Sequence, residues 1–161
     1  MIAVISDTDI LSTFAKVGEM KLLIKTFGEI YISPAVFEEL MVAANAGFSF
    51  VDNVLAVIKI KNITSRLIFE TKEFQSKHPQ LGRGEIETMI IARDEGLLIL
   101  TNDRVAKRIC DKYSLNFLDL AEILRTMKIK GIVSKKGLIS LIVRIEKEDR
   151  TIIKGKANIL L

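Results

Sequence analysis

Two short runs without polar alternation, residues 2–5 and 97–100, constrain the fold of this chain more than any other feature. A strand with one face in water alternates apolar and polar residues, so an unbroken apolar run fits a strand covered on both faces, as at the centre of a parallel α/β sheet. Each run ends at a carboxylate, in Ser6-Asp7 and in Thr101-Asn102-Asp103. Open α/β sheets bind ligands outside the carboxyl ends of their strands, which makes Asp7 and Asp103 the first candidates for a site. They lie 96 positions apart, yet at the ends of two parallel strands they can be neighbours.

The rest of the chain divides around these strands. Residues 8–16 read as a helix with Ile10, Leu11 and Phe14 inward and Asp9 as its cap; a second short helix follows over 19–25 and a strand over 29–32. Ser33-Pro34 is a helix start, followed by an apolar stripe at Val36, Phe37, Leu40 and Met41. Residues 43–50 read as loop, and the partial alternation of 54–63 predicts a third strand. Helices are expected over 64–76, 85–95 and 105–113, with the turn of 78–84 marked by Pro79, Gly82 and Gly84, and a short strand over 116–118. Asp119 and Glu122 form a capping box ahead of Leu120, Ile123, Leu124 and Met127. A final helix begins near Ser134 with its stripe at Leu138, Leu141, Ile142 and Ile145. The tail, 150–161, fits an edge strand, a partner-binding segment or a frayed end. The expected fold is α/β, a three-layer sandwich around a central, mostly parallel sheet over residues 1–130, with 131–161 as a C-terminal helical extension and tail of the same domain.

Composition narrows the chemistry. A chain of 161 residues that is 49% hydrophobic suits one domain with a real core. No apolar run approaches the ~18 residues of a membrane helix, and no basic stretch followed by an apolar run and a cleavage site opens the chain, so no membrane span is expected and the expected location is cytoplasmic. The one cysteine, Cys110, excludes an internal disulfide and a multi-cysteine zinc cage, and reads as a buried, inert thiol on a helix. The one histidine, His78, stands before Pro79 in a polar turn and is given no chemistry. Catalysis, if any, falls to carboxylates. The net charge of +4 is concentrated late, with ten Lys/Arg against four Asp/Glu in residues 121–161. Solvated helix faces account for such a surplus, and a polyanionic partner is compatible with it.

Further acids follow turn signals: Glu85 after Gly82-Arg83-Gly84, and the pair Glu38-Glu39 after Ser33-Pro34. Clustered carboxylates raise one another's pKa unless a cation stands among them. A divalent metal removes that conflict, and oxygen ligands without His or Cys select Mg²⁺ or Mn²⁺ over zinc. Glu85 and Glu87 point about 200° apart around a helix, so only one faces a common site. Glu85 is nearer the apolar face, and Glu87 is expected in solvent with Glu38. Periodicity alone does not separate Glu38 from Glu39.

The order of Ser6-Asp7-Thr8, Pro34-Ala-Val-Phe-Glu-Glu39-Leu40, Gly84-Glu85-Ile-Glu-Thr-Met-Ile-Ile-Ala92 and Leu100-Thr-Asn-Asp103 resembles the PIN-domain ribonucleases. More narrowly, it is similar to the small prokaryotic PIN proteins that include toxins of VapC type. The resemblance covers residues 1–130, and 131–145 resembles the tail of one prokaryotic subgroup. It implies metal-binding acids at Asp7, Glu39, Glu85 and Asp103, dependence on Mg²⁺ or Mn²⁺, hydrolysis of phosphodiester bonds in single-stranded RNA, a homodimer and, for a toxin, inhibition by an antitoxin protein. Asp9 departs from the Ser, Thr or Asn often found there, and helix capping is its expected role. Arg83 and the group Arg104, Lys107 and Arg108 suit phosphate contacts or ordinary surface charge. Two alternatives remain: a PIN scaffold that binds RNA or protein without turnover, and a haloacid-dehalogenase-like phosphatase with Asp7 of Asp7-Thr8-Asp9 as nucleophile. Against the phosphatase, Leu11 stands where Thr or Val is expected and no later acid pair follows a strand.

Overall fold

In the computed structural model, which describes residues 2–161, β1 (Val4–Ser6) is the middle strand of a five-stranded sheet. On one side it pairs with β2 (Ile30–Ile32), which carries β3 (Lys59–Ile60); on the other it pairs with β4 (Leu98–Leu100), which carries β5 (Phe117–Leu118). Every pairing is parallel, with Ser6 opposite Leu100. The missing alternation has a direct cause. Val4 and Leu100 belong to one apolar cluster and Ile5 and Ile99 to another, so the sheet has a core on each face.

The first core is closed by α1 (Thr8–Lys16), α2 (Met20–Phe27), α3 (Pro34–Asn45), α4 (Phe50–Leu55), α8 (Leu120–Ile129), α9 (Lys135–Asp149) and α10 (Lys156–Leu160). The second is closed by α5 (Ser65–Lys77), α6 (Arg83–Glu95) and α7 (Arg104–Lys112). This is the three-layer α/β sandwich with a parallel sheet that the sequence predicts. The α9 stripe of Leu138, Leu141, Ile142 and Ile145 is buried in the same core as β1. Among the described residues no helix is long and apolar enough to cross a membrane.

Several local expectations change. Residues 54–63 are not one strand. Val51 and Val54, three apart, are both buried on α4, and only Lys59–Ile60 pair with β2. The partial alternation belonged to the end of a helix and a two-residue edge strand. Residues expected as loop extend α3 to Asn45. The tail is no edge strand: Arg150 turns it in the left-handed region, Ile153 and Ile159 return to the core, and α10 ends it. His78 caps the end of α5 and is buried, its Nε2 2.8 Å from the Tyr113 hydroxyl. The polar turn around it hid a packing role against Phe74 and Tyr113. Cys110 is fully buried, and burial pushes its thiol up to about 12, which leaves it inert.

Candidate carboxylate site

Asp7 and Asp103 stand at the ends of the paired central strands, and both open helices. Asp7 is the N-cap of α1, one carboxylate oxygen accepting from the Ile10 amide at 3.2 Å. Its other oxygen accepts from the Thr101 hydroxyl. The Thr101 oxygen in turn accepts from the Asp103 amide at 3.3 Å, and the Asp103 carboxylate caps α7 through the Ala106 amide at 2.7 Å. Thr101 therefore ties the two strand-end acids together. Asp9 does not cap α1. A cap precedes the first helical residue with extended backbone, which Asp7 has and Asp9, inside the first turn, does not.

Two more acids come from α6 and α3. Glu85, third residue of α6, folds back to accept the Gly82 amide at 2.7 Å. Glu39 on α3 accepts from the Thr8 hydroxyl. Its carboxylate lies against Gly84, where an added β-carbon would stand 3.0 Å from the carboxyl carbon and overlap an oxygen. Asp7, Thr8, Asp9, Glu39, Gly84 and Glu85 line one open pocket of about 200 Å³. Asp103 lies outside this lining, but its charge raises the carboxyl pKa of both Asp9 and Glu85. Both glutamates are exposed; Glu39 lines the pocket, whereas Glu38 pairs with Arg83 at 2.8 Å.

The electrostatics are those of crowded acids. Burial pushes the Asp7 carboxyl up to about 7; the charges of Asp9 and Glu85 add to this, and the bonds from Thr101 and Ile10 oppose it. Burial also leads the upward shifts of Asp9 and Glu85; the Gly82 amide opposes the latter, while Asp103, Asp9 and Glu39 reinforce it. The donors are all hard oxygens, the set that suits Mg²⁺ or Mn²⁺ and whose repulsion a divalent cation would relieve. Among the described residues no three such side chains already form a closed metal cage. Each expected ligand is held instead by an amide or a hydroxyl.

Glu87 is a correction. Helix geometry turns it away from Glu85, but the far side is α3 and not water. Glu87 is only 3% exposed, accepts the Ala35 amide at 2.8 Å and takes the Arg83 Nε at 3.2 Å. It ties the first turn of α3 to α6, the helices that carry Glu39 and Glu85. Thr101, Thr8, Gly84 and Glu87 are parts of the site that sequence reasoning missed. The signals available were hydroxyls beside two acids and a glycine one residue before a third.

A parallel sheet with an acid-lined pocket at the carboxyl edge of its central strands defines an α/β protein with a cluster of carboxylates where such sheets bind ligands. The family profile described as PIN domain matches residues 3–154, and the chain belongs to the PIN-domain family. No curated protein matches the sequence. Among solved structures, VapC20 of Mycobacterium tuberculosis, titled a sarcin-ricin loop cleaving toxin, is 13% identical with a TM-score of 0.54, covering 66% of this chain and 94% of its own. VapBC2 of Rickettsia felis, bound to a DNA fragment from its promoter, is 19% identical with a TM-score of 0.55, covering 73% and 98%. PAE2754 of Pyrobaculum aerophilum is 18% identical with a TM-score of 0.56, covering 78% and 98%. At these identities the likeness is one of fold.

Proposed function

We propose that the chain is a metal-dependent endoribonuclease that hydrolyses phosphodiester bonds of single-stranded RNA in the cytoplasm, and that it is the toxin of a toxin-antitoxin pair. The observation that carries the reading is the gathering of Asp7, Glu39 and Glu85 in one pocket of a PIN domain, with Asp103 near enough to perturb two of its acids.

Asp7, Glu39, Glu85 and Asp103 would hold Mg²⁺ or Mn²⁺, directly or through water. When bound, the ion supplies Lewis-acid chemistry, polarising the phosphodiester and making water at the site more acidic. The chain's own part is placement. Thr101 fixes Asp7 relative to Asp103, Thr8 fixes Glu39, and the Gly82 amide fixes Glu85, so the acids meet the substrate without reorganising. Gly84 leaves Glu39 room beside the first turn of α6. In hydrolysis the oxygen of a water attacks phosphorus, the bond to one ribose oxygen breaks, and a proton passes to that leaving oxygen.

Two of the similar structures are VapBC assemblies, from Rickettsia felis and from nontypeable Haemophilus influenzae, and they support an antitoxin as partner; a homodimer rests on the family resemblance alone. The test is cleavage of a mixed single-stranded RNA pool by purified protein in Mg²⁺ or Mn²⁺, beside an EDTA control and Asp7→Asn. Metal-dependent cutting that Asp7→Asn abolishes supports the reading. Cutting that survives both controls overturns it, and metal binding without cutting moves the protein to an RNA- or protein-binding scaffold. Growth arrest on expression, relieved by a neighbouring gene's product, tests the toxin role.

A further inference from the structure

A second groove, of about 280 Å³, lies on the same edge of the sheet, next to the acid pocket on the β5 side. Asn102, the residue before Asp103, forms one wall, with Lys107 of α7. The opposite wall is the strap 151–154, which the folded-back tail supplies. That strap is built in. Its Ile153 is 6% exposed, the Ile153 amide donates to Glu146 at 2.7 Å, and Lys156 pairs with Glu146 at 2.8 Å just beyond it.

The lining has two chemical characters. Leu120, Ala121, Ile152 and Ile153 provide an aliphatic surface, while Asn102, Lys107, Asp119 and Lys154 bring polar and charged groups, Asp119 being the one acid among them. The Asn102 carbonyl accepts the Leu120 amide at 3.4 Å, and its NH₂ group has no protein acceptor among the described residues. Lys107 pairs with Asp119 at 3.1 Å, and Lys154 is exposed with no ion-pair partner among the described residues. Arg104 and Arg108, within one turn of Lys107 on α7, are likewise exposed. An aliphatic surface for the face of an unstacked base, a carboxamide for its edge and an unpaired lysine for phosphate are what a single-stranded nucleotide asks of a protein. The basic track also begins where the acids end, at Asp103.

We infer that the groove between Asn102-Lys107 and the strap 151–154 is a nucleotide subsite, holding the RNA residue beside the one whose phosphodiester is cut. This rests on the ribonuclease reading above and adds a role for the C-terminal segment: the tail is part of the substrate path. Lys154 takes the flanking phosphate, Lys107 being held by Asp119, and Asn102 discriminates between bases.

The experiment is fluorescence anisotropy with a labelled single-stranded RNA oligomer and the full chain, with Ca²⁺ in place of Mg²⁺, together with mapping of cut sites in Mg²⁺. The variants are Lys154→Ala and Asn102→Ala. Lys25→Ala, in the last turn of α2 and so at the opposite edge of the sheet, matches the change of charge. Lys154→Ala is expected to weaken binding about 5-fold and to lower the slope of log affinity against log salt by about 0.7, the value for one phosphate contact on a single strand. Asn102→Ala is expected to alter which sequences are cut, with the salt slope unchanged, and Lys25→Ala to change neither. If both groove variants bind and cut as the parent chain does, the subsite is overturned and the nuclease reading stands. If the parent chain does not cut but Lys154→Ala still weakens binding, the nuclease reading fails and the groove stands. A parent chain that binds no RNA overturns the subsite and leaves the groove to a protein segment.

Discussion

The hydroxyl of Thr101 donates to the carboxylate of Asp7 across the β1–β4 pair, and its oxygen accepts the amide of Asp103. One side chain thus sets both acids of the central strand ends. Thr101→Val keeps the shape, removes the donor to Asp7 and leaves the Asp103 amide without its acceptor. Loss of a group that orients a metal ligand typically costs 10–100-fold in affinity, and a drop in Mn²⁺ affinity of about that size is expected by calorimetric titration. Thr101→Ser should retain affinity near that of the parent. Equal affinity in all three proteins would show that Thr101 orients nothing.

The Asp7 carboxyl, pushed from 3.8 up to about 7, makes the metal-free protein sensitive to pH. Because the folded state holds this proton more tightly than the unfolded state, the contribution is complete below the unfolded value and is lost as pH rises through the folded one. Stability in EDTA should therefore fall between about pH 4 and pH 7, by up to ~4 kcal/mol at ~1.4 kcal/mol per pH unit. Asp9 and Glu85, also raised, act in the same direction. Asp7→Asn, neutral at every pH, should flatten most of the decline and be the more stable protein at pH 8. Urea unfolding at pH 5 and pH 8 measures this, and a parent chain equally stable at both values would refute it.

Gly84→Ala adds one carbon where the Glu39 carboxylate stands, and the flexible end of that side chain must shift. Alanine is favoured over glycine inside a helix by up to ~1 kcal/mol, which offsets part of the strain, so the melting temperature should move by only a few degrees. The cost falls on the site. Glu39 must turn from the pocket, and metal affinity and cleavage should drop about 10-fold or more. Adding Glu39→Ala to Gly84→Ala should then cost little further, because the same carboxylate is already displaced. Full additivity of the two changes would contradict this coupling.

Glu87 is expected to act on stability and Glu85 on metal binding, although they are two residues apart. Glu87→Ala leaves the buried Ala35 amide without an acceptor and removes one of the two partners of Arg83, at an expected loss of ~1–3 kcal/mol in stability. Glu87→Gln keeps an acceptor for that amide and should lose less than half as much, with cleavage per folded molecule retained. Glu85→Gln should show the converse, little change in stability and loss of metal binding. Denaturant titration alongside Mn²⁺ binding separates the two patterns.

Much of this was written in local pattern. The two apolar runs, each ending in Asp, already specified doubly covered strands with acids at their carboxyl ends, because side-chain periodicity is a property of the segment alone. The starts of α3 and α8 were legible for the same reason: Ser33-Pro34 and Asp119…Glu122 satisfy free helix amides within a few residues. The motif order likewise pointed to the PIN family before any contact was known. Segment 54–63 misled because α4 and β3 are each too short for their period to stand out.

Tertiary structure decided what depends on the partner of a face. Glu38 and Glu39 flank one apolar stripe at similar angles, and only the packing of α3 against α6 puts Glu39 beside Gly84 and Glu38 beside Arg83. Glu87 looked solvent-facing until α3 occupied that side. The tail had no period strong enough to classify it, and its Ile153 and Ile159 acquired a role only when a core stood ready to receive them. Sequence determines which residues share a face, since that is geometry within one element. What the face meets is set by elements distant in the chain, and burial, charge and proximity to a ligand follow from that meeting.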